Sequence, residues 1–113
     1  MESHGAVASL ALNNEQVVKA VLDDWRSAPI DERLRAQLGF LEKLTLHPDE
    51  VRPRDIEPLR AAGLSDDAIE DAIQVCALFS IYDRMADSLG WYLPDHAGYA
   101  ASAHNLMRRG YLI

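Results

Sequence analysis

The chain has 113 residues, enough for one domain with one modest hydrophobic core. Its formal net charge of −7 excludes DNA, RNA and anionic lipid as main partners, because phosphate binding needs a basic face. Ala and Leu dominate and Thr45 is the only threonine, which favours helix over strand, and no apolar run approaches the ~20 residues of a membrane span.

The first helix is predicted over 2–12, small and apolar through Ala6, Val7, Ala8, Leu10 and Ala11. Asn13, with Gln16 three residues on, resembles a capping box for a second helix over 14–25. Val17, Val18, Val21, Leu22 and Trp25 give that helix one apolar face. Ser27-Ala28-Pro29 stops it. Asp31 is placed to cap a third helix that runs to Leu46, with Leu34, Leu38, Leu41 and Leu44 as its stripe. Residues 48–54 read as a loop with two prolines. Asp55 is the expected cap of a short fourth helix over 56–62, with Pro58 in its first turn and Gly63 as its left-handed stop.

The fifth helix carries the strongest local signal. Ser65 is its cap, Asp66 and Asp67 suit the dipole in its first turn, and Gly90 ends it. Between Ala72 and Tyr82 it is apolar on nearly every side, which predicts a long buried helix near 65–89, inside a bundle or between subunits. Trp91-Tyr92-Leu93-Pro94 links it to a last helix over 95–109, closed by Gly110. Tyr111, Leu112 and Ile113 form an apolar tail, expected to dock on its own domain or on a neighbour.

Residue chemistry along the chain is sparse. Cys76 is the only cysteine, set among Val75, Ala77 and Leu78, and its surroundings predict a small core residue rather than a reactive thiol. A single thiol suits a reducing cytoplasm, and no signal peptide is visible. Asp83, Arg84 and Asp87 interrupt the apolar helix and must pair, reach solvent or line a pocket. His47, His96 and His104 are scattered, and no acidic residue or cysteine completes a zinc spacing. No phosphate loop or other cofactor motif is present, so neither cofactor nor metal is expected. His4, so near the start of the chain, is ordinarily a solvated residue.

The order of certain phrases goes further. The stretch VVKAVLDDWRSAPIDERLRAQLGFLEKLTLHPDEV, then DIEPLRAAGLSDDAIEDAIQVCALFSIYDRMADSLG, and the closing RRGY resemble the peroxidase-related branch of the alkyl hydroperoxidase AhpD-like, carboxymuconolactone decarboxylase-like superfamily. The resemblance covers about residues 4–111. It implies a single AhpD-like helical domain over 1–113, all-α with about six helices, that assembles into dimers, trimers or hexamers. Active members carry C-x-x-C-x-x-x-H. One thiolate attacks a hydroperoxide, the second resolves the product, and the histidine joins a proton relay.

By this resemblance His4 and Gly5 fall where the family has the relay histidine and the glycine after it. The second cysteine would stand one position before Met1, and both motif cysteines are missing from the chain. Cys76 takes a position where the family has a small or aliphatic residue, and Asp83 replaces an asparagine. Three expectations follow. The chain is a peroxidase relative that lacks the segment with its redox thiols. Or it is a non-catalytic module that binds a small molecule or a second copy of itself. Or it performs cysteine-independent, decarboxylase-like chemistry through His4. The faces around Ala72–Tyr82 and Val7/Leu10, which the family's N-terminal helices would cover, are expected to pack on another copy.

Overall fold

The computed structural model describes residues 2–110, with side chains from His4 onward. Every regular element among them is helical: α1 (Glu2–Leu12), α2 (Glu15–Asp24), α3 (Glu32–Leu46), α4 (Glu57–Ala61), α5 (Asp66–Leu89) and α6 (His96–Arg109), with 3-10 turns at Pro48–Glu50 and Pro53–Ile56. The all-α expectation and the six helices are therefore met. Among the described residues no helix is long and apolar enough to cross a membrane. The expected apolar tail, Tyr111 to Ile113, lies outside the described residues.

Side-chain caps set most of the helix starts. Asp31 accepts the Leu34 N–H at 2.8 Å, Ser65 accepts that of Ala68 at 3.2 Å, and Asp95 accepts that of Gly98 at 2.9 Å. Each carries one N–H that the first turn leaves without a partner. Two caps differ from expectation. Asn14, not Asn13, opens α2 by accepting the Val17 N–H at 3.1 Å. Asn13 sits at φ 48 and donates its own N–H to the Leu10 carbonyl, so it closes α1 instead. Asparagine tolerates that left-handed conformation better than most residues. Asp55 caps the second 3-10 turn rather than α4: its carboxylate accepts the Arg52 N–H at 2.7 Å and the Lys43 ammonium at 2.8 Å.

The described chain forms two compact units. One is made of its two ends, up to Pro29 and from Tyr92 onward; the other is Ile30–Trp91. In the first, α1 packs on both α2 and α6. Among its described residues Ala28 and Ala103 are buried. Gly98 is required at the entry to α6, where an added Cβ would come within 2.8 Å of the Pro94 ring.

In the second unit Phe40 of α3, Leu59 of α4 and Ile69 of α5 form the buried core, with Ala36, Leu44, Ile56 and Ile73 packed around it. Gln37 donates to the Ala68 carbonyl at 3.4 Å, and Thr45 Oγ1 lies 3.4 Å from Cys76 Sγ. Both pairs are 31 residues apart in sequence, so α3 and α5 run side by side in the same direction. α3 ends at Leu46, level with Ala77. The remaining turns of α5, 78–89, extend about 18 Å past it.

That overhang corrects one expectation. The long helix forms where predicted, but it is not buried: Ile69 is its only fully buried residue. Apolar composition predicted a covered helix, whereas its partner α3, with 15 residues against 24, covers only the first half of one side.

Candidate functional site

α5 has two apolar faces. Ile69, Ile73 and Cys76 follow steps of four and three and point to α3. Val75, Leu78, Tyr82, Met85 and Leu89 follow steps of three and four, and at about 100° per residue they lie on the opposite side. This outer face is open: Val75 is 53% exposed, Leu78 55%, Tyr82 58% and Leu89 65%. Ile81, beside the stripe, is exposed as well. An exposed apolar helix face this long and continuous is uncommon on a protein surface.

Asp83, Arg84 and Asp87 fall on the other side, in line with the stripe that α3 covers further up. All three are exposed. The expected ion pair among them is not formed; the Arg84 guanidinium donates to the Ser80 carbonyl at 3.1 Å. Nothing buries these charges because α3 has already ended, so solvation replaces pairing. They line no described cavity.

Cys76 is half-buried at the contact of α3 and α5 rather than sealed in the core. Thr45 holds its hydroxyl against the sulfur while donating to the Leu41 carbonyl at 2.8 Å or sharing a proton with the thiol. The group that meets the sulfur from α3 is the neutral Thr45 hydroxyl. His4 is exposed on α1. Among the described residues no group of three or more His, Cys, Asp or Glu is placed to hold a metal ion.

The charged pairs of the second unit are structural. The Lys43 ammonium, then the Arg52 N–H, hold the Asp55 carboxyl below the ordinary carboxylate range. Arg60 grips Asp66 through two bonds, 2.7 and 3.1 Å, which lowers the Asp66 pKa and ties α4 to the start of α5. In the first unit, Asp24 is lowered mainly by the Ser27 hydroxyl at 2.7 Å and closes α2.

That first unit also holds a groove of about 370 Å³. α1 supplies Gly5, Ala6 and Ser9 to it; α2 supplies Glu15, Val18, Lys19 and Leu22; α6 supplies His96, Tyr99 and Ala100. The volume suits a small molecule. His4 is not among its lining residues. The sequence carries little sign of this groove because its three walls come from both ends of the chain. It held one signal, the Glu15, Lys19 and Leu22 side of α2, which reads as ordinary solvated surface.

Fold and surface together define a small all-helical protein whose longest helix leaves one apolar face uncovered. No protein-family model matches the chain, and no curated protein matches it.

Proposed function

We propose that this chain is a self-associating helical module of AhpD-like descent, which depends on a second copy of itself to cover α5. One observation carries the reading: the outer face from Val75 to Leu89 is apolar, continuous and open to water. Removing such surface from water yields roughly 25 cal/mol per Å², the ordinary driving force of association. The phrases shared with peroxidase-related proteins supply the descent, and a reducing cytoplasm suits the single thiol. Thiol-dependent reduction of hydroperoxides has less support in the chain as it stands. That cycle needs a resolving thiol, and Cys76 is the only one.

Sedimentation equilibrium at micromolar concentration tests the reading. A dimer or larger assembly is expected, and a stable monomer overturns it. No turnover of cumene hydroperoxide with a dithiol reductant is expected. Turnover abolished by Cys76→Ser would return the chain to the peroxidases.

The groove of the first unit favours a second role, the binding of a small amphipathic molecule. Ala6, Val18, Leu22 and Ala100 offer it apolar walls, and Ser9, Lys19, His96 and Tyr99 offer polar atoms. A melting temperature raised by a small aryl carboxylate, and no longer raised in Lys19→Ala, is the expected result. Decarboxylase-like chemistry through His4 would instead be lost in His4→Ala.

A further inference from the structure

Resting on self-association, we propose that α5 pairs with α5 of a second copy in the antiparallel sense, Leu78 against the partner's Tyr82 and Val75 against the partner's Met85. The outer stripe, extended one step upstream, reads Asp71, Val75, Leu78, Tyr82, Met85 and Leu89. Its steps alternate four and three, the spacing of a two-helix seam. A stripe of this kind on a homodimer forms a self-complementary contact about a two-fold axis.

Charge decides the direction. In a parallel, in-register pair every residue meets its own equivalent. Asp71 would then face Asp71 at the seam, and Asp67 of the first turn would lie alongside its counterpart. Like charges brought together as water leaves are strongly unfavourable. No cation on α5 offsets them, because Arg84 projects from the opposite side and donates to the Ser80 carbonyl.

The antiparallel pair removes the conflict. Each Asp71 lies at an outer end, beside the partner's Leu89, where its carboxylate reaches water. Along the helix it stands about 27 Å from its own equivalent. The acidic N-terminus of each helix adjoins the C-terminal half of the other, which also suits the helix dipoles. The apolar positions, Val75, Leu78, Tyr82 and Met85, all pair with one another. These four with Ile81 and Leu89 expose on the order of 600 Å² per copy, which reaches the lower end of the roughly 600–1,000 Å² per partner of stable interfaces. Trp91, exposed just beyond the helix, adds to it.

Spin labels test the direction. Full-length protein carrying Cys76→Ser takes a single nitroxide at Ser80→Cys or at Asp87→Cys. Both positions lie on the side of α5 away from the seam. In the antiparallel pair the two-fold axis passes beside residue 80, and the two labels at 87 stand a further ~21 Å apart along the helix. The label-to-label distance at 87 is therefore expected to exceed that at 80 by on the order of 10 Å. A parallel pair gives equal distances. A dimer with equal distances overturns the antiparallel arrangement and leaves self-association standing. A labelled protein that sediments as a monomer overturns self-association itself.

Discussion

Along α5, Ile69, Ile73 and Cys76 lie against α3, while Val75, Leu78, Tyr82, Met85 and Leu89, half a turn round the same helix, face outward. The two stripes have similar composition and similar spacing. Their different surroundings come from length and direction alone: α3 runs parallel to α5, lies on one side of it and stops near Ala77. Apolarity therefore states that a face has to be covered, and not by what. The inner face is used by the chain's own core, and the outer one is exposed to water.

Substitutions on the two faces break this comparison in opposite ways. The largest effect is expected from Leu78→Asp, which places a charge in the seam. It is expected to weaken self-association on the order of 100-fold or more, read by sedimentation, with helix content in circular dichroism unchanged. Ile69→Ala should do the reverse. It removes buried methylenes from the core with Phe40 and Leu59, and about 2–4 kcal/mol of unfolding free energy is expected to be lost in urea titrations. Leu78→Ala, measured under dissociating dilution, should change the same quantity by less than about 0.5 kcal/mol. Equal losses at the two sites would mean that the outer face is covered within the chain.

A smaller effect sharpens the comparison at the start of the helix. Ser65→Ala removes the cap on the Ala68 N–H and is expected to cost about 1 kcal/mol of unfolding free energy, with no change in association.

Acid acts on the side of the core through Asp55, which Lys43 of α3 holds. Lys43 and the Arg52 N–H lower its carboxyl in the folded state, so the unfolded chain binds the proton more readily. Its contribution is complete above the ordinary value of 3.8 and is lost as pH falls through the lower folded value. Asp66 and Asp24 act in the same direction. The urea midpoint is expected to be lower at pH 3 than at pH 5, and Asp55→Asn should flatten part of that slope.

Much of the fold was legible residue by residue. The bounds of α1 and α5 and the caps at Asp31 and Ser65 follow from side chains within four positions of one another. Asn13 and Asp55 serve other elements than their local patterns suggest, for a related reason. Two asparagines stand side by side, and Asp55 has a choice between a helix and a tight turn. Only the φ of Asn13 and the arrival of Lys43 from α3 decide between them. The site was less legible. The groove draws on α1, α2 and α6, and no local pattern announces residues brought together from opposite ends of a chain.

The sequence by itself determined that the protein is all-helical, roughly where most of its helices lie, and that the fifth carries more apolar surface than one neighbour can use. Those are consequences of periodicity and of side chains acting on their own turn of backbone. Tertiary structure alone decided which of the two faces of α5 is spent on the core, that Cys76 meets Thr45, and that Asp83, Arg84 and Asp87 stay in water. Those depend on where α3 ends and which way it runs, and a helix's own residues carry no information about the length or direction of the partner beside it.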